Sequence, residues 1–323
     1  MINAQITAMS SYVPEEVITN KWFEDKIETQ DEWIVSRTGI RERRFAADQQ
    51  FTSDLAIRAV ENLLRENPAI DIKAVDFIMV ATTTADQVMP SMASRVQSHF
   101  GITQAGCIDV MAACAGFVYG IILAKGLVAS GTHQKILVIG AETLSKFTDF
   151  SDRTSCILFG DAAGVALVEA SARAGIGNGI TGTDGTHGKD LYLSQTNTFI
   201  DGEEVAANGK IHQNGRVVYK WAVQNIGQKI LDLLNVNQLK LADLNWIILH
   251  SANLRIIEAV ALSVNYPMEQ MLTSLEFFGN TSSASIPLAW DLAAKAGKLK
   301  KGDKALLLGF GGGLTYAGTI VEI

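Results

Sequence analysis

Short apolar runs recur along the chain, and longer stretches of helical character separate them. Two examples are DFIMVA, Asp76–Ala81, and KILVIG, Lys135–Gly140. Uninterrupted apolar runs of this length, alternating with helical segments, are typical of strands buried on both faces. The pattern therefore predicts an α/β protein built on largely buried sheets.

The same runs return in the second half of the chain. At an offset of 169 residues, DFIMVA meets NWIILH, Asn245–His250, and KILVIG meets KALLLG, Lys304–Gly309. The segments GVALVEA, Gly164–Ala170, and AGTIVEI, Ala317–Ile323, end the two halves in a similar way. Two strands that share one offset in the same order favour an internal duplication.

The duplication divides the chain into residues 1–174 and 175–323. No low-complexity linker separates the halves, and the glycine-rich segment Gly175–Gly185 is the expected boundary. Residues 186–216 are polar and weakly periodic, which predicts surface loops over the second half.

A single cysteine stands where a long apolar helix is predicted to begin. Cys114 lies in DVMAACAGF, and the offset places it opposite Ser283, within a few residues of Asn280. Both segments follow an apolar strand and open a helix rich in small residues. If the halves pack around a pseudo-twofold axis, the two helix N-termini face each other. His250, at the end of its strand, would approach the same place.

These residue types suit acyl transfer through a thioester. Unpaired N–H groups at a helix N-terminus stabilise a thiolate, so we expect the pKa of Cys114 to be lowered there. The glycine-rich turn Gly309–Gly313 lets the backbone approach closely and offers N–H groups to an oxyanion. Each feature also has a structural interpretation: a small core thiol, a strand cap at His250, a turn at Asn280 and a tight loop.

Composition narrows the class of protein. The net charge of −7 argues against nucleic acid as a partner. Three cysteines do not form a disulfide framework, which favours a reducing compartment. The N-terminus lacks the pattern of a signal peptide, and no apolar helix reaches the length of a membrane span. The sequence thus predicts a soluble, cytoplasmic protein with no nucleic-acid or membrane partner.

The chain also resembles a known family over almost its whole length. It is similar to the β-ketoacyl-acyl-carrier-protein synthase III enzymes, which start bacterial fatty-acid synthesis, and in particular to the second copy found in Bacillus-type bacteria. The fold implied is thiolase-like, internally duplicated and five-layered, α-β-α-β-α. The matching blocks are DEWIVSRTGIRERR (31–44), AACAGF (112–117), ILFGDAAG (157–164), HSANLRII (250–257), FFGNTSSASIP (277–287) and GFGGGLTYAG (309–318).

The resemblance implies a catalytic set of Cys114, His250 and Asn280. Cys114 would take the acyl group from acyl-CoA, and malonyl-acyl-carrier protein would then lose its carboxylate and attack the thioester. His250 and Asn280 would bind the malonyl thioester carbonyl as its enolate forms. The backbone amides of Cys114 and Gly312 would form the oxyanion hole. The family needs neither a metal ion nor a redox cofactor.

Binding residues follow from the same resemblance. Trp33, Arg37 and Arg153 match positions that hold the CoA adenine, and Asn253 matches the wall of the pantetheine tunnel. Lys220 and Arg255 match basic positions at the tunnel mouth, which suit an acidic carrier protein. The nearby run Arg41, Arg43 and Arg44 is assigned to the solvated surface.

Met89 occupies the position that, in dimers of this family, closes the acyl pocket of the partner. The family thus implies a homodimer. Phenylalanine at this position restricts some members to acetyl primers, whereas methionine adapts to irregular pockets. We therefore expect acetyl or short branched-chain primers.

Neighbouring enzyme classes fit less well. Thiolases use a second cysteine near the C-terminal glycine turn, but Cys107, Cys114 and Cys156 all lie in the first half. Elongating synthases use two histidines, and no histidine follows His250. A related condensing enzyme of polyketide or quinolone-type metabolism remains an alternative. A non-catalytic acyl-CoA-binding homologue would be expected to lack one of the three catalytic residues. A serine hydrolase and a Rossmann enzyme are disfavoured by their missing motifs.

Overall fold

The computed structural model describes residues 2–323, and its strands form two five-stranded sheets and three two-stranded ones. The strands are β1 (Asn3–Tyr12), β2 (Glu16–Thr19), β3 (Glu42–Phe45), β4 (Phe77–Ala81), β5 (Gly106–Val110), β6 (Lys135–Glu142), β7 (Ala162–Ser171), β8 (Ile180–Thr183), β9 (Leu191–Leu193), β10 (Phe199–Ile200), β11 (Glu203–Glu204), β12 (Ile211–Gln213), β13 (Trp246–Leu249), β14 (Met271–Leu272), β15 (Lys304–Gly311) and β16 (Thr315–Glu322).

Helices alternate with many of these strands along the chain. They are α1 (Asn20–Glu24), α2 (Asp31–Thr38), α3 (Thr52–Glu66), α4 (Met92–Phe100), α5 (Gly116–Ala129), α6 (Leu144–Phe147), α7 (Gly215–Val236), α8 (Leu254–Val264), α9 (Leu275–Phe278) and α10 (Ser285–Lys295). Short 3₁₀ turns precede two of them, Ala113–Ala115 before α5 and Ser282–Ala284 before α10. Within residues 2–323, none of the helices combines the length and hydropathy of a membrane span.

Two five-stranded sheets have the same topology. Their strand orders are β1-β7-β6-β4-β5 and β8-β16-β15-β13-β14. In each sheet the first three strands pair antiparallel and the last three pair parallel. The predicted internal duplication is therefore confirmed, and the chain passes from one sheet to the other between Ser171 and Ile180.

The layers follow from where each helix buries its apolar side chains. α5 and α10 lie between the two sheets and share one apolar core with both. α3 and α4 cover the outer face of the first sheet, and α7 and α8 cover that of the second. This gives the five layers α-β-α-β-α. Because α5 is enclosed on both sides, its sequence is apolar almost all round.

The two halves approach most closely where the middle helices begin. A Cβ on Gly140 of β6 would lie 2.5 Å from the carbonyl oxygen of Ser283, and a Cβ on Gly309 of β15 would lie 2.7 Å from the Cα of Ala115. Each sheet thus needs glycine where the helix start of the other half crosses it. These crossings place the turn at Cys114 and the turn at Ser283 side by side.

The structure corrects two expectations about surface segments. Arg43 is not solvated but fully buried, and its guanidinium donates to the carbonyls of Ile18 and Ile157. Residues 186–216 are not only surface loops. They contain four short strands, and Ile211 packs with Leu144 and Phe159 of the first half. Sequence periodicity did not indicate this packing because each strand has two or three residues.

Candidate active site

One cavity of about 1080 Å³ is lined by most of the residues that the sequence singled out, the exceptions being Arg153, Lys220 and Met89. Cys114, His250 and Asn280 all line it, together with the glycine-rich turn. The three side chains come from a 3₁₀ turn, a strand end and a loop in two halves of the chain. The convergence predicted from the duplication is therefore present.

Cys114 occupies the turn that leads into α5. Its thiol is half-buried, and it packs against β15, where a Cβ on Gly311 would lie 2.9 Å from both its nitrogen and its sulfur. Burial raises the pKa of the Cys114 thiol to about 12, and the nearby charge of Glu142 adds to this, while the Ser282 hydroxyl opposes it. The expectation of a lowered pKa is wrong, because desolvation of the thiolate outweighs the stabilising groups.

His250 follows the last residue of β13 and is held by its backbone and its ring. Its N–H donates to the carbonyl of Leu308, and its Nδ1 lies 2.7 Å from the hydroxyl of Ser285. The Ser285 oxygen also accepts from the N–H of Ser251, which leaves its own proton free for donation, and we assign that proton to the bond with Nδ1. Nε2 then carries the imidazole proton. Burial lowers the pKa of His250 to about 3, which leaves the ring neutral.

Asn280 is fixed to the first half by its backbone. Its N–H donates to the carbonyl of Leu158 at 2.8 Å, and its carbonyl accepts from Gly160 at 3.0 Å. Its side-chain oxygen accepts from the N–H of Ser282 at 2.9 Å. This bond uses the amide oxygen, so the NH₂ group is left to serve as a donor in the cavity. The arrangement therefore supplies two neutral donors, Nε2–H of His250 and the Asn280 amide.

The glycine-rich turn forms the wall beside the thiol. Gly311, Gly312 and Gly313 all line the cavity. A Cβ on Gly312 would lie 3.1 Å from the carbonyl of Leu191, so the turn is also confined from outside. Gly312 and Cys114, the two residues predicted for the oxyanion hole, both line the cavity.

An aromatic and two guanidinium groups lie at one end of the cavity. The guanidinium of Arg153 stacks 4.7 Å from the ring of Trp33, and that of Arg37 lies 6.0 Å away. A base stacked between two planes needs a contact of about 3.5–4.0 Å on each side. Arg153 must therefore move away from Trp33 before an adenine ring can enter.

Of the residues predicted for the tunnel and its mouth, Asn253 and Arg255 line the cavity and Lys220 does not. Asn253 lines the cavity, but its side chain also caps α8 by accepting from the N–H of Arg255. Arg255 lines the cavity too, and its Nε donates to the carbonyl of Ser36. Lys220 is exposed on α7, beside the cavity residue Tyr219.

Met89 lies on the surface. Its side chain is 82% exposed, as is that of Met111, and neighbouring Val88 is 96% exposed. Single exposed apolar side chains are ordinary, but contiguous apolar patches on a protein surface mark sites of interaction. In its own chain Met89 does not close the cavity.

Sequence reasoning missed the residues that shape the deep part of the cavity. Leu144, Phe159, Leu191, Leu193 and Ile211 line it and pack on one another. They come from a short helix, a loop and two short strands, which give no periodic signal. It also missed Glu142, which is fully buried beneath the catalytic residues. Over residues 2–323, no group of three or more His, Cys, Asp or Glu side chains is placed to hold a metal ion.

The sequence is similar to those of known proteins over its whole length. Residues 108–185 match the family model for 3-oxoacyl-[acyl-carrier-protein] synthase III, and residues 234–323 match the model for the C-terminal part of the same enzymes. β-Ketoacyl-[acyl-carrier-protein] synthase III 2 of Bacillus subtilis is 51% identical, covering 100% of this chain and 99% of its own. The Staphylococcus epidermidis enzyme of the same name is 50% identical, covering 99% and 98%.

Solved structures agree with this result. A β-ketoacyl-[acyl-carrier-protein] synthase III from Thermus thermophilus superimposes with a TM-score of 0.95 at 42% identity, covering 99% of both chains. The priming β-ketosynthase of the R1128 polyketide pathway superimposes with a TM-score of 0.92 at 32% identity, covering 99% of this chain and 96% of its own.

Proposed function

Because the chain belongs to the 3-oxoacyl-[acyl-carrier-protein] synthase III family, we propose that Cys114, His250 and Asn280 carry out the reaction of that family. The enzyme is an acyltransferase that condenses an acyl-CoA with malonyl-acyl-carrier protein, releases CO₂ and yields 3-ketoacyl-acyl-carrier protein. This is the initiating step of bacterial type II fatty-acid synthesis. The observation that supports the residue roles is the meeting of all three side chains in one cavity.

In the first half-reaction the Cys114 sulfur attacks the acyl-CoA carbonyl carbon. An S–C bond forms, the carbonyl oxygen becomes an oxyanion, and the amides of Cys114 and Gly312 stabilise it. The bond to CoA then breaks, and the CoA sulfur leaves with the proton that Cys114 loses. A buried thiol with a raised pKa releases its proton late, so we expect this proton to move as the S–C bond forms.

In the second half-reaction the malonyl thioester loses CO₂. The electron pair of the broken C–C bond moves toward the thioester oxygen, where Nε2–H of His250 and the amide of Asn280 stabilise the enolate. The enolate carbon attacks the acyl-Cys114 carbonyl, the C–S bond breaks, and the Cys114 sulfur leaves as a thiolate that takes a proton from water. A neutral histidine suits this role because it donates without having to be protonated first.

Two surface features support the binding roles. Trp33 and Arg153 would enclose the CoA adenine after Arg153 moves, with Arg37 beside them. Arg255 at the cavity wall and exposed Lys220 would attract the acidic carrier protein. The pantetheine arm of each substrate would pass Asn253 to reach Cys114.

We propose that the enzyme acts as a homodimer through the edge at β5. This strand ends the first sheet, and Ile108, Met111, Val88 and Met89 expose apolar surface along it. A second copy would cover this surface and receive Met89 in its acyl pocket. An Ile108→Arg variant should then migrate as a monomer in size-exclusion chromatography with light scattering, whereas a variant that remains dimeric would place the interface elsewhere.

The primer and the cellular setting follow from the same proposal. The deep cavity wall is aliphatic and aromatic, which suits acetyl or short branched acyl chains more than polar ones. The free thiols Cys107, Cys114 and Cys156 suit the cytoplasm. The chemistry above is complete with the CoA and carrier-bound thioesters and assigns no step to a separate cofactor.

The test is intact-protein mass after incubation with acetyl-, isobutyryl-, isovaleryl- and hexanoyl-CoA. The wild type should gain the mass of one acyl group, Cys114→Ala should gain none, and Cys107→Ala should behave as the wild type. Cys107 is a matched control because its thiol is also half-buried. A gain that persists in Cys114→Ala, or no gain with any acyl-CoA, would refute the assignment of the nucleophile.

The similarity to a polyketide priming synthase gives a second candidate function, the start of a specialised pathway. The higher identity to the Bacillus and Staphylococcus enzymes favours fatty-acid synthesis. Condensation with malonyl-loaded carrier protein from fatty-acid synthesis, compared with a polyketide carrier protein, would separate the two.

A further inference from the structure

A carboxylate that the mechanism does not use is buried where the two halves meet. Glu142 is the last residue of β6, and its side chain has no exposed surface. Residues Thr82–Thr84, which follow β4 in the first half, surround it on one side. Ser282 and Ser283 from the second half contact it on the other side. It is therefore a direct link between the halves beneath the active site.

Hydroxyl and N–H groups surround the carboxylate of Glu142, and one of them, the Ser283 hydroxyl, also lies 2.9 Å from the carbonyl of Ala81. One oxygen, Oε2, lies 2.6 Å from the Thr84 hydroxyl and 3.1 Å from the N–H of Thr83. The other, Oε1, lies 3.0 Å from each of the hydroxyls of Ser282 and Ser283. Burial raises the pKa of Glu142, and these hydrogen bonds oppose that rise. An ionised carboxylate accepts hydrogen bonds and donates none, so this shell fits the charged form.

Ser282 connects this carboxylate with Asn280 and with the cavity that Cys114 and His250 also line. Its N–H donates to the side-chain oxygen of Asn280 at 2.9 Å. Its hydroxyl lies 3.0 Å from Oε1 of Glu142, and it holds the pKa of the Cys114 thiol below the value that burial alone would give. The backbone of Ser282 is in the left-handed region, with φ of 48°, so it needs such ties to stay in place.

We propose that Glu142 is a positioning residue for the condensation, holding Ser282 so that the thiol, the imidazole and the amide keep their relative positions. It acts without touching the substrate. This proposal rests on the catalytic roles assigned above to Cys114, His250 and Asn280.

The charge of Glu142 should affect the pKa of Cys114, and a purely structural role of Glu142 would not produce this effect. The titratable groups around the Cys114 thiol are Glu142 behind Ser282 and His250 across the cavity. His250 is neutral, so Glu142 is the neighbouring charge that opposes the thiolate. Removing this charge should lower the pKa of Cys114, whereas removing the Ser282 hydroxyl should raise it.

The first experiment compares Glu142→Gln with the wild type. Alkylation of Cys114 by iodoacetamide, followed against pH, should move to lower pH in the variant. The condensation rate should fall 10- to 100-fold, because displacements below 1 Å in a catalytic group have effects of this size. Asp291→Asn is the matched control, since Asp291 is equally buried but binds Ser11 and Lys295 far from the thiol. It should leave both the alkylation profile and the condensation rate within twofold.

A second pair of variants decides the matter if Glu142→Gln does not fold. The hydroxyls of Ser282 and Ser283 each lie 3.0 Å from Glu142, but of the two only Ser282 lines the cavity and lowers the pKa of Cys114. Ser282→Ala should move the alkylation profile to higher pH and lower condensation at least tenfold, whereas Ser283→Ala should leave the profile unchanged.

Two results would overturn the proposal. One is an unchanged profile with condensation within twofold in both Glu142→Gln and Ser282→Ala. The other is equal effects of Ser282→Ala and Ser283→Ala. Formation of the wild-type acyl-Cys114 thioester is measured in parallel. Its absence would refute the proposed function itself, so the two failures are distinguishable.

Discussion

Gly311→Ala tests how closely the glycine-rich turn must approach the nucleophile. The new Cβ would lie 2.9 Å from the nitrogen and the sulfur of Cys114 and 3.0 Å from its Cβ. Ordinary contacts between such atoms are about 3.5–4.0 Å, so the turn and Cys114 must separate by about 0.5–1 Å. Gly311 does not have a positive φ, so alanine adds bulk there without backbone strain.

The displacement sets the size of the effect. Moving a reacting group by about 1 Å costs on the order of 100-fold in rate, so we expect acylation of Cys114 to fall about 10- to 100-fold. Overpacking should also lower the free energy of unfolding by about 1–3 kcal/mol. The assay is single-turnover acylation by acyl-CoA, followed by intact mass, with the unfolding midpoint measured in denaturant.

Gly126→Ala is the matched control for this experiment. Gly126 lies in α5, the helix that follows Cys114, and a Cβ there has no atom within 4 Å. Alanine should raise stability by about 1 kcal/mol and leave acylation unchanged. If Gly311→Ala keeps acylation within threefold of the wild type while folded, the turn does not confine the thiol and our reasoning about the oxyanion hole fails.

Three further outcomes are expected. Burial lowers the pKa of His250 from 6.5 to about 3, so between these pH values the unfolded chain binds a proton that the folded chain does not. The free energy of unfolding should therefore decline as the pH falls from 6.5 toward 3. His250→Gln should flatten this decline in denaturant titrations. Arg153→Ala should raise KM for acyl-CoA about tenfold with kcat for condensation nearly unchanged, because Arg153 stacks on Trp33 rather than near Cys114. Ile211→Phe should fill the deep cavity and shift the preferred primer toward acetyl-CoA, measured by competition between acetyl- and isovaleryl-CoA.

The sequence predicted the strands and the internal duplication because apolar residues recur regularly along the chain. Apolar runs mark the equivalent strands β4 and β13, and one offset relates them, so the two sheets and the meeting of Cys114 with Asn280 could be inferred. The burial of individual residues could not be inferred from the sequence. Arg43 stands in a charged run, yet the packing of distant segments around it supplies its hydrogen-bond partners and removes it from water.

The pKa of Cys114 was mispredicted for a related reason. A helix N-terminus stabilises a thiolate, and that part of the argument concerns neighbours along the chain. Desolvation depends on what covers the turn, and here Gly311 and Ser282 arrive from the other half. The same applies to Glu142, whose position after a strand in the sequence does not indicate that serines from the second half surround it.

The duplication also explains how one cavity can serve two different half-reactions. Cys114 and Ser283 occupy equivalent turns at the starts of α5 and α10, and each turn crosses the opposite sheet at a glycine. The first turn carries Cys114, and the second carries Ser282, whose N–H binds the side-chain oxygen of Asn280. In the proposed mechanism, acyl transfer uses amides from both halves, at Cys114 and Gly312, whereas enolate formation uses His250 and Asn280 of the second half alone. In the proposed mechanism the acyl-Cys114 thioester stays in place while the malonyl thioester takes the position that CoA leaves.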